Sequence, residues 1–358
     1  MIRRVALVLA LAAFVAAGAA YARPSANPKT RAALSDLVKA GAPGAVVLIR
    51  KGDATTVFAA GVADKRTHRP MRPDDRFRIA SLTKSFVATV VLQLVGEKRM
   101  SLADPVARFL PGLVPKGEAI TVRELLNHTS GLYDYEQDPR LYAPYLKGHL
   151  NYAWTPKQLV ALAVSHRPPF TPGTHWSYSN TNYVLLGLIV EALTKHAFAG
   201  ELTRRILRPL GLHATRFGAD RNMGSPAAHG YYQGRDVAAV NFSFAWGAGS
   251  MVSTADDVAR FYKALLGGKL LRPKQLKQME TTVTGAGGDY GLGLWEQPQI
   301  CGDSWGHVGD AVGYRSFAWS SKNGDHQAVV LTTSTTEPVS PDVSLALGTL
   351  VDDAFCGS

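Results

Sequence analysis

The sequence is poor in the residues that mark several large enzyme classes. Its 358 residues include only two cysteines, Cys301 and Cys356, so there is no Cys-x-x-Cys metal or redox pair. The ten histidines are scattered, with no His-Glu-x-x-His pair, and no Gly-Lys-Ser/Thr phosphate loop occurs. No metal and no cofactor are therefore expected. After residue 20, no apolar run approaches the ~20 residues that span a bilayer. Internal repeats are also missing. Charged residues make up 19% of the chain and hydrophobic ones 46%, the balance of a folded protein with room for two domains or one elaborated one.

The one long apolar stretch lies at the start. Met1-Ile-Arg3-Arg4 precedes Val5 to Ala20, and Ala20-Tyr-Ala22 closes the stretch, as in a secretory signal cut after Ala22. An uncleaved anchor is the alternative. Export implies a secreted or extracytoplasmic protein, and in that oxidising setting an even pair of cysteines reads as a disulfide rather than two free thiols. A Cys301–Cys356 bridge would tie the C-terminal helix to the preceding sheet, worth about 4 kcal/mol in the chain-entropy model. The formal charge of +11 falls to +9 once Arg3 and Arg4 are removed. In an exported protein this favours contact with anionic envelope polymers over nucleic acid. Arg204, Arg205, Arg208, Arg216 and Arg221 are locally dense and read as a solvated helix face.

Hydrophobic periodicity predicts a helix over 31–40, then strands over 44–50 and 55–61 joined by a turn at Lys51-Gly52-Asp53. The run 82–95 is apolar nearly all round, which predicts a helix buried on every side. From 102 to 233 no strand pattern occurs, and 155–166 and 182–193 have helical spacing. Strand character returns at 290–296, 318–321 and 327–333, before a last helix over 343–355. The expected fold is therefore α/β (α+β): an antiparallel sheet flanked by helices, formed by residues 23–100 and 235–358, with an all-α insertion at 101–234.

At the start of the buried helix stands Ser81-Leu-Thr-Lys84. Residues three apart share a helix face, so Lys84 can reach the Ser81 hydroxyl and activate it as a nucleophile. The unpaired N–H groups of the first turn favour an oxyanion formed there. The same spacing also fits an N-cap serine beside a solvated lysine. Three further segments hold polar residues where periodicity would not put them. In Trp176-Ser-Tyr178-Ser-Asn180, a tyrosine can relay protons, and an asparagine can hold both Lys84 and a substrate carbonyl. In His307-Val308-Gly309-Asp310, glycine would let a substrate approach, and the Asp310 N–H could complete an oxyanion hole. Trp246 lies in a glycine-rich run that suggests a close backbone approach.

Taken in order, RFRIASLTKSF from 76, TVRELLNHTSGLYDY from 121, WSYSNTNY from 176, YGLGL from 290, GHVGDAVGY from 306 and AFCG from 354 resemble the serine β-lactamase and penicillin-binding protein superfamily. The chain is most similar to the class C-like branch and its soluble D-alanyl-D-alanine carboxypeptidases. The resemblance implies a β-lactamase/transpeptidase-like fold, with the active site between sheet and insertion. It implies an acyl-enzyme on Ser81 with Lys84 as partner, Tyr178 shuttling protons, Asn180 binding the substrate amide, and His307 with Gly309 edging the cleft. The Cys301–Cys356 pair falls where that family has its bridge. The implied substrates are D-alanyl stem peptides of peptidoglycan, with β-lactams as inhibitors or substrates, handled by a monomer. A β-lactamase, an esterase, a D-amino-acid amidase and a non-catalytic envelope binding protein are the alternatives.

A phenolate at Tyr178 would need its pKa lowered by roughly three units from about 10, or about 4 kcal/mol. Protonated Lys84 could supply that shift; a concerted transfer without full ionisation is the other route. Two positions depart from the family's pattern. Val308 stands in place of a threonine, and Trp295 in place of an arginine, both expected to hold a substrate carboxylate. Asp310 adds negative charge nearby. Recognition of a free carboxylate is thus expected to be weakened or moved, unless Arg315 restores it from another direction.

Overall fold

The computed structural model describes residues 27–285, 288–334 and 340–357; the expected leader at 1–22 lies outside them. Nine strands form one antiparallel sheet: β1 Gly44–Lys51, β2 Ala54–Asp64, β3 Arg69–Pro70, β4 Val283–Gly285, β5 Gly288–Tyr290, β6 Trp295–Gln299, β7 Gly302–Ala311, β8 Tyr314–Ser320 and β9 His326–Thr333. Their spatial order is β3-β2-β1-β9-β8-β7-β6-β5-β4, so the first and last parts of the chain meet at the β1–β9 pair. Val47 there lies opposite Val330 on one side and Phe58 on the other. Gly-Ala-Val-Val-Leu-Ile-Arg in β1 is buried at every residue, because helices cover both sheet faces.

On one face lie α1 (Pro28–Lys39) and, from the chain's end, the helix Pro341–Cys356. Leu34, Leu37, Leu347 and Leu350 pack there against Val47 and Val330. The other face carries α2 (Thr83–Gly96), buried at every position from Thr83 to Leu92, as its all-round apolar sequence requires. Its Phe86 ring stacks on Phe261 with centroids 3.6 Å apart. Full burial of each such side chain contributes about 1.5–3 kcal/mol, so this helix is a rigid post for the residues at its N-terminus. Behind it packs α3 (Asn180–Thr194). Among the described residues, no single helix is long and apolar enough to cross a membrane. A disulfide joins Cys301, between β6 and β7, to Cys356 at the end of the last helix.

Three expectations change. The run 290–296 is not one strand: β5 and β6 are joined by a turn in which Gly293 has φ +84°. Leu292 and Leu294 are buried inside that turn, which is why the apolar pattern ran straight through it. The glycine-punctuated run at 302–311 is itself the strand β7. Gly306 and Gly309 sit where neighbours leave no room; a Cβ on Gly306 would lie 1.8 Å from the Ala318 carbonyl oxygen. Finally, the segment 101–234 holds short strands. Arg216–Phe217 pairs with Met251–Ser253, which also pairs with Phe77–Arg78, and Tyr231–Tyr232 pairs with Arg235–Asp236. Two-residue strands are too short to leave a period-2 signal.

Candidate active site

Ser81 lies in a single 3₁₀ turn, Ala80–Leu82, that leads from the strand Phe77–Arg78 into α2. Ala80 just before it has φ +47°, a left-handed conformation that costs a residue with a Cβ about 1–3 kcal/mol. Surrounding contacts impose it. Ile79 N–H donates to the Met251 carbonyl, and Ser316 Oγ donates to the Ile79 carbonyl. Gly309 presses on the same turn: a Cβ there would meet Ser316 Oγ at 2.2 Å and the Ile79 carbonyl oxygen at 2.5 Å. The room expected to admit substrate at Gly309 is therefore filled by the turn that carries Ser81.

Lys84 is fully buried in the first turn of α2, and its Nζ lies 2.9 Å from Ser81 Oγ. It also donates to Asn180 Oδ1 at 2.7 Å and to the Ala248 carbonyl at 2.8 Å. Burial pulls its pKa down to about 7, with the charges of Glu136 and Asp134 opposing the shift. A neutral amine has two N–H bonds and one lone pair. With both N–H bonds given to Asn180 and Ala248, the lone pair is left for the Ser81 hydroxyl.

Tyr178 lies under the same amine, with Lys84 Nζ 4.8 Å from its ring centroid. Burial pushes its phenol well above the ordinary value, and a hydrogen bond with Ser81 only partly offsets this. The electrostatics thus run opposite to the phenolate expectation: the lysine, not the tyrosine, is brought near neutrality. Asn180 opens α3, and its amide links Lys84 to Asp134, whose Oδ2 accepts from Nδ2 at 3.1 Å. One N–H of that amide remains for a substrate carbonyl.

His307 is buried and already partnered. Its Nδ1 lies 2.6 Å from the Val308 carbonyl and so carries the proton, leaving Nε2 to accept from Tyr290 Oη at 3.1 Å. Burial, followed by the charge on Lys84, lowers its pKa to about 3, which makes it a neutral wall residue rather than a proton carrier. Trp295 is buried beside it, 4.7 Å from the Tyr290 ring and 5.6 Å from Trp176. The glycine-rich run at Trp246 does approach neighbouring backbone closely, but the Trp246 side chain, a candidate for binding substrate, does not face the site. Its indole turns into the helical core against Gly187, Phe198 and Phe217, while the Ala248 carbonyl two residues on holds Lys84. Val308 is exposed at the rim.

A pocket of about 280 Å³ opens beside Ser81, and its lining includes Tyr142, Phe244 and Val312 together with Glu136 and Asp310. Burial, followed by the neighbouring Asp134 charge, raises Glu136 to about 8. Asp310 is raised by burial against the pull of Arg315, its cross-strand partner, whose guanidinium lies 2.9 Å away. Arg315 is therefore occupied rather than free to bind a carboxylate. A larger groove of about 1420 Å³ runs along β2 and holds none of these residues.

Asp134, Glu136, His128 and the Ala248 carbonyl were not singled out from sequence. The first three lie within the quoted 121–135 run or one residue past it, so an acid-rich stretch after Ser130-Gly131 was the available signal. Gly302-Asp-Ser304-Trp-Gly306 matches a nucleophile-elbow spacing, yet it lies within β7, with Ser304 fully buried and donating to the Gln297 carbonyl.

A family model described as Beta-lactamase matches residues 27–351. In structure, the chain is similar to a D-stereospecific amidohydrolase from Streptomyces sp. (TM-score 0.85, 38% identity, covering 93% of this chain and 99% of that one). It is also similar to the D-amino acid amidase of Ochrobactrum anthropi SV3 (TM-score 0.82, 28% identity, 91% and 98% covered). In sequence, it is 28% identical to the putative penicillin-binding protein PbpX of Bacillus subtilis, over 82% of this chain and 71% of that one. It is 30% identical to a D-aminopeptidase of Brucella anthropi over 78% of this chain, but it spans only 54% of that relative's length. The chain belongs to the beta-lactamase family and is a serine hydrolase of the β-lactamase and penicillin-binding-protein fold.

Proposed function

We propose that this hydrolase acylates Ser81 with D-amino acids drawn from amides or peptides whose α-amino end is free, and then releases them to water. The observation that carries this reading is the pocket beside Ser81, whose lining holds Glu136 and Asp310 but no arginine or lysine. Glu136 once ionised, with Asp310 beside it shared with Arg315, attracts an ammonium and repels a substrate carboxylate, and burial strengthens both effects. Tyr142 and Phe244 offer an apolar wall for a side chain. The D and amide preferences draw support from the relatives named as D-stereospecific amidohydrolase and D-amino acid amidase. D-alanyl cell-wall peptides are the second reading, favoured by the likeness to PbpX.

In this scheme Ser81 Oγ attacks the amide carbon as the Lys84 lone pair takes its proton. The backbone N–H groups of Ser81 and Asp310 hold the oxyanion. The C–N bond breaks as the Tyr178 hydroxyl protonates the leaving amine, and the proton taken up by Lys84 then restores the Tyr178 hydroxyl without passing through the esterified Ser81 oxygen. Water then attacks the ester by the same route, restoring Ser81.

Steady-state kinetics on D-phenylalaninamide, its L isomer, N-acetyl-D-phenylalaninamide and a D-Ala-D-Ala peptide test the reading. Removing the ammonium by acetylation is expected to lower kcat/KM by about 10- to 100-fold, the worth of one charge-assisted hydrogen bond. A preference for the D-Ala-D-Ala acid, or indifference to acetylation, overturns it. We also propose that residues 1–22 direct export; a mature N-terminus at Arg23 is the expected sequencing result, and an intact Met1 on the exported chain would contradict cleavage.

A further inference from the structure

His128 lies against the proposed proton donor, and its position is costly. It has φ +63°, which is rare outside glycine, and its buried Nε2 has no hydrogen-bond partner. Each feature costs about 1–3 kcal/mol, and such outliers persist only where surrounding contacts fix them.

What those contacts fix is Tyr178. The His128 carbonyl accepts the Ser177 N–H at 3.0 Å, and its Nδ1 accepts the Ser179 N–H at 3.1 Å. The N–H groups of the residues before and after Tyr178 are therefore both held by one residue. The imidazole also stacks on the tyrosine ring, with centroids 4.2 Å apart and planes inclined by 30°.

The tautomer follows from the donors. A backbone N–H can only donate, so Nδ1 must be bare and Nε2 must carry the proton. Asn182 enforces the same state. Its Oδ1 accepts from Ser130 Oγ at 2.7 Å, which turns its Nδ2 toward His128 Nδ1, 3.3 Å away. Burial, followed by the nearby Lys84, keeps the ring neutral. No other side chain combines a flat ring with an acceptor at this position. Asparagine keeps an acceptor and tolerates the left-handed backbone, whereas phenylalanine keeps only the stack.

We infer that His128 is a positioning residue for Tyr178, holding the phenol in line with Ser81 during proton transfer. The inference rests on the proton-donor role proposed for Tyr178, and it does not depend on which substrate is natural.

The test is a double-mutant cycle of His128→Ala and Tyr178→Phe, measured both on D-phenylalaninamide and on p-nitrophenyl acetate. The ester reports on Ser81 turnover even if the amide reading fails; its p-nitrophenolate leaves unprotonated, so there Tyr178 acts only when Ser81 is released from the acyl-enzyme. His128→Ala is expected to lower kcat by about 100-fold, the cost of a misplaced catalytic group, with KM changed less than about twofold. In the Tyr178→Phe background the same substitution is expected to cost less than about threefold, because there is no hydroxyl left to aim. An undiminished loss in that background overturns the inference, as does a rise in KM at constant kcat. If His128→Ala does not fold, His128→Asn and His128→Phe serve instead. Each keeps one half of the clamp, and both are expected to fall between wild type and Tyr178→Phe. Full activity in either one assigns its missing half no role and overturns the clamp.

Discussion

Two regions of this molecule are dense in charge, and they shift their ionisations in opposite directions. Around the helix that follows residue 198, Arg204 and Arg205 bind Glu201, Arg205 also binds Glu97, and Arg216 binds Asp220. Burial alone would push Glu201 up and Arg205 down, but the ion pairs outweigh it and move both groups away from neutrality. Beside Ser81 burial wins. Lys84 comes down to about 7 and Glu136 goes up to about 8, so protons move easily within the pH range of most enzymes. The number of charges does not separate these regions. The arginines meet their carboxylates in paired geometry, whereas Lys84 makes its short contacts with a hydroxyl, an amide and a carbonyl.

The comparison breaks first at Lys84. If its neutral amine is the base, Lys84→Ala and Lys84→Arg should both lower kcat by about 10³- to 10⁴-fold, since a permanent cation cannot accept the Ser81 proton. A lysine whose pKa is lowered becomes neutral as pH rises through the lowered value. Wild-type kcat/KM should therefore climb with pH through about 7. Glu136 must be ionised to attract an ammonium, so a further rise is expected toward about 8, and Glu136→Gln should abolish that second rise alone. A rate that falls as pH increases through 7 would show that the cationic lysine is the working form.

Much of this was legible in the sequence because it depends on local pattern. The all-round apolar run of α2, the hairpin at Gly52 and the Ser81–Lys84 spacing are short-range features, and they landed where expected. What failed was long-range. Nothing local to Trp246 says that its ring turns toward Gly187, and nothing local to Gly309 says that Ser316 and Ile79 fill the space beside it. The dense arginines were expected to be a solvated face, and Arg204, Arg208 and Arg221 are exposed, but the Arg205 side chain is only 6% exposed, because Glu97 reaches it from the end of α2 while Glu201 holds it from one turn back. Asp134 and Glu136 went unassigned for the same reason. Their meaning depends on a lysine some fifty residues upstream, and on burial that only packing supplies.

The smallest expected effect on activity sharpens the contrast most. Glu97 directly follows α2, whose other end carries Lys84 and Ser81, so Arg205 is bonded to the far end of the catalytic helix. Arg205→Met leaves Glu201 with Arg204 and His196 and should cost roughly 3 kcal/mol of stability, seen as a lower urea midpoint at unchanged slope. Its kcat/KM should stay within about twofold of wild type, because α2 is held along its length by buried side chains rather than by its C-terminal ion pair. A loss of kcat in a folded Arg205→Met protein would mean that the ion pair sets the height of the helix. The two charged regions would then be one mechanical unit rather than two separate solutions to burying charge.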